Sequence, residues 1–172
     1  MSAPAAGLSV LLRSLKLPGF VRAHGEAATR AESEGWSFKR YLQHLAEIEI
    51  EDRSSRRIER LLRESGLPHD KTLGNLELER LPAPVRRSLP TLCEGGFVDK
   101  AENLLAFGLP GRGKSHLVAA IGHELVRRGY RVLFIPAFKL VQRLLAAKRD
   151  LDLEATLRRL DILEAMSQSY SF

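Results

Sequence analysis

Apolar positions in the first part of the chain recur at helical spacing and are cut by residues that stop helices. Residues 8–35, opening with Leu8, Val10, Leu11 and Leu12, read as helical pieces broken at Pro18-Gly19 and near Gly35. Ser37 has the chemistry of an N-cap, and a long amphipathic helix is predicted from it to about Ser65. Tyr41, Leu45, Ile48, Ile58, Leu61 and Leu62 fit one face of that helix in part, and Gly66 and Pro68 stop it. Residues 66–100 carry Pro68, Gly74, Pro82, Pro84, Pro90, Gly95 and Gly96, which predicts a connector built of short elements.

Beyond residue 100 the pattern changes. Leu104-Leu105-Ala106-Phe107 is a short continuous apolar run, the signature of a strand buried on both faces. Lys114 to Arg128 reads as a helix with Leu117, Ile121 and Leu125 on one face and Gly129 as its stop. Val132-Leu133-Phe134-Ile135 predicts a second buried strand, closed by Pro136. Two more helices are expected, over 138–149 and 153–165. This order predicts an α/β chain: a helical module (1–66), a connector (67–100) and part of a nucleotide-binding domain with an incomplete sheet (101–172).

Between the first strand and its helix lies Gly108-Leu109-Pro110-Gly111-Arg112-Gly113-Lys114-Ser115, a complete G-x-x-x-x-G-K-[ST] loop. Each position has a physical task. The glycines let backbone N–H groups approach phosphate oxygens, and Lys114 neutralises the β and γ phosphates. The Ser115 hydroxyl is the expected Mg²⁺ ligand, and the following helix aims its positive end at the anion. Strand before and helix after is the setting the motif requires, so ATP with Mg²⁺ is the expected cofactor.

Composition changes this picture little. At 44% hydrophobic and 28% charged, the chain is an ordinary globular one, with no apolar run long enough to span a bilayer. The N-terminal apolar stretch has no basic segment before it and is interrupted by Arg13 and Lys16, which argues against a signal peptide. One cysteine, Cys93, permits no internal disulfide and fits a reducing cytoplasm; it reads as a semi-buried small residue. The net charge of +6 allows contact with nucleic acid without requiring it. Arg53, Arg56, Arg57, Arg60 and Arg63 form a basic stripe that could follow a phosphate backbone, or a solvated face paired with Glu49, Asp52, Glu59 and Glu64. His116 and His123 are spaced too far apart for a paired metal site, and Trp36 and Phe38 read as core.

An ordered set of segments resembles the IstB family, the ATP-binding helpers of insertion-sequence transposition related to the DnaC helicase loader. These are Leu15-Lys16-Leu17-Pro18-Gly19, Ser37-Phe38, Glu47-Ile48-Glu49, Arg56-Arg57, Lys71-Thr72-Leu73, Glu102-Asn103-Leu104-Leu105 running into the loop, and Gly129-Tyr130-Arg131-Val132-Leu133-Phe134. The resemblance covers about residues 8–161. It implies a cytoplasmic AAA+ ATPase that binds DNA, assembles as a homo-oligomer and works with a transposase, with no membrane partner. It also implies that residues 108–115 hold ATP and Mg²⁺.

Two departures follow from the same resemblance. The family's loop usually has proline where Leu109 stands and threonine where Arg112 and Ser115 stand. Its apolar strand ending in paired acidic residues would follow Leu157 and Leu160, where this chain reads Asp161-Ile162-Leu163-Glu164-Ala165-Met166. Ile162-Leu163-Glu164 is short for that strand. The expectation is therefore a shortened family member with impaired hydrolysis, no assignable catalytic residue, and a sheet whose two strands lack their neighbours. Two alternatives stand beside it: a non-catalytic DNA- or partner-binding remnant, and a DnaC-like helicase loader in replication.

Overall fold

A computed structural model describes residues 5–109, 111–161 and 165–167. The chain divides into two compact units, residues 1–57 and 58–172, with the division inside the long third helix.

The first unit is helical. Helix α1 (Ala5–Ser14) is followed by α2 (Pro18–Glu34), which has proline at its first position and ends at Gly35, whose N–H reaches the Ala31 carbonyl. Helix α3 (Phe38–Ser65) opens as predicted, the Arg40 N–H donating to Ser37 Oγ at 3.2 Å. No side chain next to it in sequence caps α2. The cap comes from α3 instead: Gly19 N–H donates to Glu49 Oε2 at 2.7 Å. Gly19 is required there, because a Cβ would stand 2.8 Å from that same oxygen. Glu49 also takes Arg53 Nε at 2.8 Å, and Arg53 Nη2 donates onward to the Lys16 carbonyl at 3.0 Å. Among the described residues of this unit, the buried hydrophobic side chains are Leu12, Ala27 and Leu45.

In the second unit the last turns of α3 supply Leu61, with Ile58 and Leu62 packed beside it. The segment read as a connector is part of this core. Leu67, Leu81, Leu89 and Cys93 are buried with Ala119, Ile121, Leu125, Val126 and Val132. Most of these lie on α4 (Ala83–Glu94) and α6 (Lys114–Arg127), which pack together; a short helix α5 (Gly96–Asp99) follows α4. Prolines and glycines mark the turns of 66–100, yet the apolar residues between them carry its packing.

Strand β1 (Val132–Phe134) leads into α7 (Ala137–Arg149) and α8 (Leu153–Asp161), then β2 (Ala165–Ser167). The two strands pair in parallel, Val132 opposite Ala165 and Phe134 opposite Ser167. Parallel neighbours need a long crossover, and α7 with α8 provides it.

Three expectations are corrected. Residues 104–107 form no strand: Leu105 is 71% and Phe107 87% exposed, and no described strand lies alongside them. A strand exists only as one side of a hydrogen-bonded ladder, so apolar composition alone could not make one. The helix expected over 153–165 ends at Asp161, and its last residue instead opens β2. That strand falls just beyond Ile162-Leu163-Glu164, which lie outside the described residues. Finally, Phe38 is 95% exposed rather than core, while Trp36 is half-buried between Arg30 and Arg40, 5.4 and 4.4 Å from its ring centre.

Among the described residues, no helix is long and apolar enough to cross a membrane.

Candidate functional site

Gly108, Leu109 and residues 111–113 are exposed, Lys114 and Ser115 are half-buried, and the loop joins the irregular segment 102–109 to the start of α6. Gly108, Gly111 and Gly113 have φ of +154°, +74° and +76°. The last two lie in the left-handed region, where a side chain is strained. Nothing approaches the position of a Cβ on Gly111 or Gly113 within 4 Å, so the backbone there is open to a ligand.

Gly113 is the N-cap of α6, and its carbonyl accepts the first helical bond from Leu117 N–H at 2.9 Å. The earlier amides of α6 therefore point toward the loop, together with the positive end of a 14-residue helix. Lys114 folds back over the same loop, Nζ donating to the Gly108 and Leu109 carbonyls at 2.8 and 3.0 Å. The loop thus holds the Lys114 ammonium at its own carbonyls and ends at the amide end of α6. Ser115 follows on the first turn, half-buried.

The donor set suits a phosphate group: backbone amides, one lysine and a helix N-terminus on left-handed glycines, all solvent-accessible. Pro110 lies outside the described residues. Of the three loop positions that depart from the family pattern, Leu109 and Arg112 are exposed and Ser115 is half-buried. Among the described residues, no three His, Cys, Asp or Glu side chains gather into a metal-holding group. Strand β2, which pairs with β1, offers Ala165, Met166 and Ser167, none of them a carboxylate.

Two histidines hold α6 in place. His123 is buried, and its Nε2 lies 3.0 Å from the Pro68 carbonyl; His116 Nε2 lies 3.1 Å from the Thr72 carbonyl. A carbonyl oxygen only accepts, so Nε2 carries the proton in each bond. Both are helix-positioning residues, and His116 lies two residues from Lys114. Nothing in the local sequence signals this, because the bonds span 55 and 44 residues.

Cys93 is buried, and desolvation, with Glu124 adding to it, pushes its thiol above the ordinary range. It is an inert core residue. The basic stripe of α3 is divided in role. Arg53 pairs with Glu49, and Arg56 Nε donates to the Asp52 carbonyl at 3.0 Å. Arg60 and Arg63 are exposed and have no ion pair among the described residues. The stripe is thus partly a packing device and partly a solvated surface.

Comparison with known proteins gives a consistent answer. The family model described as IstB-like ATP binding protein matches residues 10–166. An insertion sequence ATP-binding protein of Sinorhizobium fredii is 41% identical over 157 residues, covering 91% of this chain and 53% of its own length. The protein named for ATP binding in insertion sequence IS5376 of Geobacillus stearothermophilus is 35% identical, over 84% of this chain and 57% of its own. Its counterpart named for IS21 in Pseudomonas aeruginosa is 32% identical, over 89% and 58%. The chain thus spans a little over half the length of these curated relatives.

Proposed function

Because the chain belongs to the family of IstB-like ATP-binding proteins, we propose that it is an ATP-binding helper of insertion-sequence transposition. Residues 108–115 form its nucleotide grip. The observation that carries this reading is that one loop holds Lys114 against its own carbonyls, contains two left-handed glycines and ends at the N-terminus of α6.

In this reading the amides of Gly111, Gly113 and the first turn of α6 bind phosphate oxygens, and Lys114 leaves its two loop carbonyls to meet the β and γ phosphates. Ser115 is the protein's ligand for Mg²⁺, which supplies charge neutralisation when bound. Gly108, Leu109, Pro110 and Arg112 complete the proposed nucleotide-binding set. Hydrolysis is weak, since phosphoryl transfer depends on a positioned carboxylate and the β2 residues carry none. DNA, a transposase and further copies of the chain are the proposed partners. The names of the relatives, all insertion-sequence proteins, support transposition over helicase loading.

Calorimetric titration of the full chain with ATP and Mg²⁺ tests the grip. Binding should be seen in the parent, and Lys114→Ala should weaken it by about 2 kcal/mol, roughly thirtyfold, as expected for a charge-assisted contact. Absence of heat from a well-folded chain would overturn the reading. Turnover that is brisk and abolished by Lys114→Ala would overturn only the weak hydrolysis.

A further inference from the structure

The first unit holds an open cleft of about 420 Å³ between the end of α1, the start of α2 and the middle of α3. Four cations line it: Arg13, Lys16, Arg22 and Arg56. Its apolar floor includes Leu17 and Val21. The cleft is open to solvent, and every charged residue of its lining is a cation.

The cations differ in what already engages them. Arg22 Nη2 donates to Asp52 Oδ1 at 2.8 Å, and Arg56 uses Nε on the Asp52 carbonyl, with Nη2 3.9 Å from Glu49. Each guanidinium keeps further N–H donors, since an arginine has five. Arg13 and Lys16 have no ion pair among the described residues and are exposed. Two carboxylates, Asp52 and Glu49, therefore face four lining cations and Arg53. The amide end of α2 is not the anion's seat, because Glu49 already occupies it through Gly19 N–H.

The turn that presents Lys16 is held in place. Lys16 has φ of +57°, its N–H reaches the Arg13 carbonyl at 3.0 Å, and its own carbonyl accepts from Arg53 Nη2 at 3.0 Å. Leu17 N–H closes the turn on the Leu12 carbonyl at 2.9 Å. A lysine in the left-handed region is strained, and here two hydrogen bonds to its backbone sustain it.

We propose that this cleft binds a phosphate ester, its anionic oxygens met by Arg13, Lys16 and the free edges of Arg22 and Arg56, its organic part lying on Leu17 and Val21. Guanidinium forks match phosphate oxygens in pairs, which favours this anion over a simple carboxylate. The phosphate could belong to a nucleic-acid backbone or to a free phosphate compound; the chemistry of recognition is shared. The cleft's lining shares no residue with 108–115, so the proposal does not rest on the nucleotide grip.

The test uses the full chain with Lys114→Ala, which removes the grip's lysine and leaves the cleft intact. Arg13→Ala with Lys16→Gly deletes both uncommitted cations, and glycine relieves the strained φ, so folding is preserved. Lys39→Ala with Lys100→Ala removes the same charge elsewhere. Binding to a short labelled duplex DNA is followed by fluorescence anisotropy against salt, and binding of pyrophosphate by calorimetry. The cleft pair should weaken DNA binding roughly tenfold and flatten its salt dependence by about 2 in log–log slope. The control pair should cost less than about twofold by the same reasoning. Pyrophosphate heat that vanishes with the cleft pair identifies a free phosphate as sufficient; DNA loss without pyrophosphate heat identifies the polynucleotide. If the cleft pair binds both probes as the control pair does, the proposal is overturned.

Discussion

The two compact units are stabilised by different physics. The second has ten buried apolar residues in one cluster, from Leu61 to Val132. In the first, Leu12, Ala27 and Leu45 are the buried hydrophobic residues among those described, and the helices are tied by Glu49, Asp52 and the arginines around them. Apolar burial responds little to pH or salt, whereas hydrogen bonds to a carboxylate respond to both. One chain should therefore carry two stability profiles.

The largest test cuts the apolar side. Leu125 is 2% exposed inside the core cluster, so Leu125→Ala should cost about 3 kcal/mol, read as a lower unfolding midpoint in denaturant. Hydrogen exchange should place the loss in the second unit, and the cost should be the same at neutral and mildly acidic pH. An equal loss of protection in residues 5–57 would erase the distinction between the units.

Glu49→Ala tests the polar side. It strips the cap from α2 and the partner from Arg53, at about 2 kcal/mol, a figure reduced because Arg53 is half in water. The pH response follows from the same residue. Burial raises the Glu49 pKa, but the Arg53 hydrogen bond and the Gly19 and Phe20 amides outweigh it and leave it below its ordinary value of 4.5. A depressed carboxylate stabilises fully above its unfolded pKa and loses that contribution as pH falls through its folded one. Exchange in α2 should thus accelerate as pH drops below about 4.5 in the parent, beyond the intrinsic trend, and far less in Glu49→Ala. A parent and variant with parallel acid profiles would rule out this cap as the pH-sensitive tie.

The smallest effect should come from Leu105→Lys. Leu105 is exposed and lies outside the ladder of the described strands, so stability should move by no more than about 0.5 kcal/mol, while solubility improves. A large loss would show that 104–107 packs in solution as the paired strand its composition suggests.

Much of the candidate loop could be read directly. The left-handed turns at Gly111 and Gly113, the Lys114 contacts to Gly108 and Leu109, and the start of α6 all lie within a few residues of one another. Helix starts and stops were equally legible at Pro18, Gly35, Ser37 and Gly66, each of which works within a few residues of itself. The tie of His123 to Pro68 and the cap of α2 by Glu49 were not, because their partners stand 55 and 30 residues away.

Two apolar runs of similar composition separate what each level decides. By itself the sequence determined where backbone turns are forced and where side chains alternate: the helices, the glycine loop and the family to which that ordered set belongs. Tertiary structure alone decided that Val132–Phe134 becomes a strand and Leu104–Phe107 does not. A helix satisfies its hydrogen bonds within its own segment, so local residues can specify it. A strand must borrow its partners from distant chain, and β1 found Ala165–Ser167 while residues 104–107 have no described neighbour to borrow from.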